Sequence, residues 1–152
     1  MERGESIVEE DATMDDSMNC PEGTHVVTPR RAYRHHGIYI GGGKVVHYTG
    51  LQHGLRRGPV EEVTINEFAN GRPIQLLPGT CANFQSHEVV ERARSRVGEN
   101  DWRLLTNNCE HFCEWCVRGE ARSYQVEALF ALPARLLRQV RSRMHFVSLP
   151  HR

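Results

Sequence analysis

The side chains that could do chemistry in this chain are cysteines and histidines. Cys109 directly follows Asn108, a helix-capping residue type, and opens a helical pattern that runs to Arg118 with Gly119 just beyond. A helix N-terminus presents free N–H groups and the positive end of the peptide dipole. Both favour thiolate over thiol. A free cysteine titrates near about 8.5, and this position beside an imidazole is expected to lower that. The same N–H groups can hold the oxyanion that forms at an attacked carbonyl. Cys109 is therefore placed as a nucleophile. The plainer reading is a small hydrophobe on a helix face.

A thiol nucleophile needs a base, and the base needs an orienting partner. The segment His35-His36-Gly37-Ile38-Tyr39-Ile40, the triplet Gly41-Gly42-Gly43 and the segment Lys44-Val45-Val46-His47-Tyr48 read as a β-hairpin that carries three histidines. With a three-residue loop, Ile40 faces Lys44 and Gly37 faces His47. His35 is then the diagonal neighbour of His47 on the same face. A two-residue loop would favour His36 instead, so register alone leaves both histidines open. His111, Cys113 and Cys116 lie near Cys109, but they lack a second ligand pair at zinc-site spacing. Cys113 and Cys116 are better read as core beside Phe112 and Trp115. No metal and no cofactor is implied.

These residues need a scaffold. Thr24 to Thr28 reads as a first strand ended by Pro29, and the hairpin follows. Residues 50–59, with three glycines and a proline, read as a loop, and Val60 to Val63 as a short strand. Thr64 and Glu67 have capping-box spacing for a short helix to Asn70. Pro73 to Leu77 reads as extended. Ser86 to Val97 reads as a helix with Ser86 as N-cap, a buried stripe of Val89, Val90, Ala93 and Val97, and Gly98 as its stop. Glu127 to Arg143 has a third helical pattern, interrupted by Pro133. Strands come first and helices after, which gives an α+β domain with a small antiparallel sheet.

The chain has 152 residues, enough for one domain with its own core. Nineteen basic and nineteen acidic side chains cancel, which argues against a dedicated nucleic-acid binder. The five cysteines are odd in number, and no secretory signal is visible, so free thiols and a cytoplasmic location are expected. Residues 1–18 hold seven carboxylates and one arginine, whereas from Ala128 onward there are five arginines, two histidines and no acid. The expected organisation is an acidic disordered leader over 1–20, a domain over 21–126 and a basic amphipathic segment over 127–152. Arg135, Arg138, Arg141 and Arg143 beside Leu136, Leu137 and Val140 would suit peripheral contact with anionic lipid.

The segments His35-His36-Gly37-Ile38-Tyr39-Ile40-Gly41, Val45-Val46-His47 and above all Asn108-Cys109-Glu110-His111-Phe112 resemble the lecithin:retinol acyltransferase (LRAT) family. That group includes the H-Ras-like suppressor phospholipase/acyltransferases. Cys116, Gly119, the helix from Glu91 to Gly98 and the strand from Gly23 to Val27 extend the likeness over about residues 23–126. The resemblance implies a circularly permuted papain-like fold. It also implies Cys109 as nucleophile, His35 as general base and His47 as the histidine that orients it. The expected reaction is cleavage of a glycerophospholipid acyl ester through a thioester on Cys109. The acyl group then passes to an acceptor that the sequence does not identify, or to water, as in a phospholipase A. Two rival readings stand beside it. One is a cysteine amidase or peptidase of the same superfamily; the other is a non-catalytic interaction module that keeps the motif for packing.

Overall fold

A computed structural model describes residues 20–53, 56–77 and 82–132, with side chains left undescribed over 51–57. Five strands, β1 (His25–Pro29), β2 (Arg34–Tyr39), β3 (Lys44–His53), β4 (Arg56–Thr64) and β5 (Gln75–Leu76), form one antiparallel sheet. Its order is β4-β3-β2-β1-β5. Three helices, α1 (Ile65–Ala69), α2 (Ser86–Ser95) and α3 (Cys109–Arg118), complete the named elements. A last helical stretch covers residues 124–132, starting three residues earlier than the pattern from Glu127 indicates. The arrangement is the expected α+β domain with a small antiparallel sheet.

Alternation of side chains divides the sheet into two faces. Ile38, Ile40, Val46, Tyr48 and Val60 face the helical layer, where they pack with Val89, Val90 and Ala93 of α2 and Phe112, Cys113 and Cys116 of α3. Cys113 and Cys116 are thus core residues, as their helical spacing indicates. The opposite face is smaller. There Val26 and Val45 pack with Ile65 and Phe68 of α1, and Cys20, Tyr39 and Ile74 close its edges. Cys20 belongs to this packing and not to the acidic leader. Residues 1–19 and 133–152, which hold that leader and most of the basic segment, lie outside the described residues.

The hairpin between β2 and β3 sets the register of the site. Gly41, Gly42 and Gly43 all have positive φ, at 85°, 56° and 68°, a conformation that L side chains disfavour. The Ile40 N–H donates to Lys44 O at 3.0 Å, and Gly37 pairs with His47. This is the three-residue register, and it puts His35 and His47 on one face and His36 on the other.

Two readings of the sequence need correction. Residues 50–53 and 56–59 are strand and not loop: β3 continues to His53 and β4 begins at Arg56. Gly50, at φ 60°, marks a register shift between Gly50 and His53, and Gly58 lies where a Cβ would meet Thr49 Cβ at 2.6 Å. Both glycines permit strand pairing with a bulge instead of interrupting it. The N-cap of α2 is Gln85, not Ser86, and the Gln85 N–H donates to Glu88 Oε2 at 2.7 Å.

Candidate active site

Cys109 is the first residue of α3, and Asn108 is its N-cap. Asn108 Oδ1 accepts from the N–H groups of Glu110 at 3.0 Å and His111 at 3.1 Å, while its Nδ2 donates to Leu104 O at 2.8 Å. The cap therefore consumes two first-turn amides and also pins the loop ahead of the helix. Gly119, at φ 83°, closes the other end.

His35 and His47 meet on the α1 face of the sheet. His35 Nε2 lies 2.9 Å from His47 Nδ1, and His47 Nε2 lies 3.5 Å from Glu61 Oε1. An ionised carboxylate only accepts, so the proton of neutral His47 belongs on Nε2. His47 Nδ1 then accepts, and His35 donates from Nε2. This tautomer of His35 carries its basic lone pair on Nδ1. Phe68 stacks on the His35 ring at 5.2 Å between centroids and meets the His47 ring nearly edge-on at 5.5 Å. Gly37 makes room for it: a Cβ there would lie 2.9 Å from Phe68 Cε2 and 2.5 Å from Val45 Cγ1. One glycine thus lets an aromatic ring cover the histidine pair. Burial is the main reason both histidines titrate low, His35 well below the usual range and His47 at about 4 despite Glu61 nearby. Both are neutral at pH 7.

Cys109 and His35 line one cavity of about 350 Å³, together with Tyr33, Tyr48, Trp102, Leu104, Leu105, Gln125, Val126 and Leu129. Its walls are mainly apolar. Trp102 is held on its loop by a polar clamp: Tyr48 Oη accepts from the Asp101 N–H at 2.7 Å and donates to Glu99 at 3.1 Å. Arg96 in turn binds Glu99.

The thiol does not behave as its helix position alone indicates. Burial pushes Cys109 up to about 11, and the backbone amides of His36, Glu110 and Cys109 pull it down without prevailing. The negative Glu110 carboxylate raises it further. At rest the site therefore pairs a neutral thiol with a neutral imidazole, not a thiolate with an imidazolium.

A second set of buried polar residues, on the helical face of the sheet, gives little sign of itself in the sequence. Glu110, next to Cys109, accepts from Ser123 Oγ at 2.5 Å, Gln125 N–H at 3.1 Å and Gln125 Nε2 at 3.2 Å. Gln125 Oε1 accepts from the Arg34 N–H at 2.8 Å, which fixes the amide orientation, so Nε2 faces Arg34 O at 3.2 Å and His36 Nε2 at 3.1 Å. His36 Nε2 then accepts, and His36 donates from Nδ1 to His25 Nε2 at 2.8 Å. His25 Nδ1 lies 3.6 Å from Glu114 Oε1, and Glu114 Oε2 lies 2.9 Å from Arg118 Nε. Burial holds His36 at about 2. Gln125 thus grips both neighbours of His35, namely Arg34 and His36, and the residue after Cys109. One signal was available: α3 is nearly all buried, so Glu110 and Glu114 on it had to find partners. Gln125 itself has no local signature.

A model of the lecithin retinol acyltransferase family matches residues 18–122. Lecithin retinol acyltransferase of Mus musculus is 29% identical over 140 residues, covering 74% of this chain and 61% of that protein. The Rattus norvegicus enzyme has the same identity and coverage. The Homo sapiens enzyme is 28% identical over 142 residues, covering 75% of this chain and 61% of its own length. The chain therefore spans about three fifths of the length of the curated relatives it matches. With a family model matched over more than half its residues, this chain belongs to the lecithin retinol acyltransferase family.

Proposed function

We propose that this protein is a thiol acyltransferase that takes an acyl group from a glycerophospholipid ester and forms a thioester on Cys109. The observation that carries the reading is one apolar cavity lined by both Cys109, at the head of α3, and His35, itself bonded to His47. His35 Nδ1 takes the Sγ proton as sulfur attacks the ester carbonyl. The tetrahedral oxyanion forms at the positive end of α3, where the Cys109 N–H belongs to the first turn. On collapse the ester C–O bond breaks, and His35 returns the proton to the lysophospholipid oxygen. An alcohol, amine or water then gives its proton to His35 and attacks the thioester, restoring the thiol. His47 keeps the proton of neutral His35 on Nε2 and stabilises the imidazolium that forms at each attack. Because both partners rest neutral, the proton moves with the attack and not before it. The apolar walls suit an acyl chain and exclude water from the thioester, which favours transfer over hydrolysis. The family resemblance also implies a permuted papain-like arrangement, and histidine strands that precede the cysteine helix are consistent with it.

The test is lipid product analysis. A short-chain phosphatidylcholine offered to the wild-type protein should give lysophospholipid and either free fatty acid or an acylated acceptor. Cys109→Ala should lose at least about a thousandfold in rate, and His35→Gln a comparable factor. Turnover retained in Cys109→Ala would overturn the mechanism. Cleavage of peptide amides with phospholipids untouched would transfer the site to the amidase class.

A further inference from the structure

The cavity has a buried floor and an exposed mouth. Cys109, His35, Tyr48 and Trp102 are buried, whereas Tyr33, Leu104, Leu105 and Leu129 line the same cavity while 36%, 57%, 45% and 57% exposed. Nine large apolar side chains are exposed among the described residues, so these four are close to half of them at one opening. Three more, Tyr124, Phe130 at 64% and Leu132 at 50%, lie on the helical stretch that carries Leu129. Three separate segments thus converge to surround one opening with apolar surface, which soluble monomers rarely expose without a partner.

Charge flanks this rim on one side. The turn that supplies Ala32 and Tyr33 to the mouth also carries Arg30, Arg31 and Arg34. Arg30 donates to Phe68 O at 2.7 Å, Arg34 to Gln75 Oε1 at 2.8 Å and Arg72 to Pro29 O at 3.1 Å. These bonds all go to neutral oxygens, and among the described residues none of the three arginines is paired with a carboxylate. The other rim arginines differ: Arg103 is paired with Asp101 and Arg122 with Glu127.

We infer that this rim docks on an anionic lipid bilayer, with the mouth of the cavity facing the hydrocarbon and Arg30, Arg31, Arg34 and Arg72 against the headgroups. Two features favour a bilayer over a protein partner. Four of the exposed apolar side chains themselves line the cavity that holds Cys109, so an acyl chain can enter against apolar surface. The arginines stand along one side of the opening as point charges held on neutral oxygens, which suits anionic headgroups. This surface shares only residues 127–132 with the basic segment over 127–152 that the sequence points to; its arginines come from the β1–β2 turn and Arg72, and its other apolar residues from that turn and the loop ahead of α3. The choice of a lipid partner rests on the phospholipid reading above, but the docking itself requires no reaction at Cys109.

The full chain and its Cys109→Ala variant are sedimented with phosphatidylcholine vesicles, with and without phosphatidylserine. Both should bind, and more tightly to the anionic vesicles. Arg31→Gln/Arg72→Gln should lower binding to anionic vesicles by about 20-fold, at roughly fivefold per arginine lost, and leave binding to neutral vesicles nearly unchanged. High salt should remove the same increment. Phe130→Ser/Leu132→Ser should weaken binding to both compositions by about tenfold. None of these four residues lines the cavity, so turnover of a monomeric short-chain ester should stay at the wild-type rate. Loss of turnover in Cys109→Ala with binding intact separates the two readings. Binding unchanged in both double variants would overturn the docking surface. So would wild-type protein that ignores vesicles, or that forms a defined oligomer through this rim instead.

Discussion

Acid should unfold this domain early, and the size of the effect follows from its buried histidines. His35, His36 and His47 are enclosed, and burial depresses all three, His36 to about 2 and His47 to about 4. In the unfolded chain each titrates near about 6.5. The unfolded state therefore binds more protons wherever pH is below about 6.5, and stability rises with pH. The full stability is present above that value and is lost as pH falls toward the folded-state values. Between pH 7 and pH 5 His36 and His47 each cost about 2 kcal/mol by this linkage, about 4 kcal/mol together, and His35, held low by the same burial, adds to the loss. A domain of this size is typically stable by about 5–15 kcal/mol, so the loss takes much of it. Urea unfolding followed by tryptophan fluorescence at pH 7, 6 and 5, at constant ionic strength, measures the change directly. In His36→Gln the pH dependence over the same interval should shrink by about 2 kcal/mol. A wild-type change below about 1 kcal/mol between pH 7 and 5 would refute the neutral, buried histidine network.

Four further outcomes follow from the same geometry. Gly37→Ala drives a Cβ into Phe68 and Val45, so it should destabilise the fold by about 2 kcal/mol in urea unfolding; an unchanged midpoint would mean Phe68 does not press on the histidine pair. Gln125→Ala cuts the ties between Glu110, Arg34 and His36, and single-turnover acylation should fall about 10–100-fold while substrate binding changes little. An equal rise in KM with no change in that rate would make Gln125 only a cavity wall. Because the folded value of His35 lies well below 6.5, its protonation should switch off kcat/KM only well below that pH. A limb centred near 6.5 would show that His35 is not buried during attack. Iodoacetamide should modify Cys109 with a rate that climbs past pH 9 toward about 11.

Much of the frame was legible because it rests on local chemistry. The glycine triplet allowed only a few hairpin geometries, and the three-residue one put His35 beside His47, as the structure has them. Asn108 and Gly119 bracket α3 because an amide side chain caps and a glycine adopts positive φ. The reading failed where long-range packing overrides local preference. Gly50, Gly58 and Pro59 look like loop residues, but β3 and β4 pair through them with a bulge. The thiol was expected to titrate low because dipole and amides can be read from position, whereas the burial that pushes it up comes from the whole fold. Gln125 stands sixteen residues after Cys109 and ninety after His35; nothing in its neighbours shows that it joins them.

The central claim is a covalent acyl-enzyme on Cys109, and intact mass spectrometry tests it most directly. Wild-type protein incubated with a short-chain phosphatidylcholine should gain the mass of one acyl chain. Peptide mapping should place that mass on Cys109, hydroxylamine should release it, and Cys109→Ala should show none. An adduct on another residue, or phospholipid turnover in Cys109→Ala, would contradict the account.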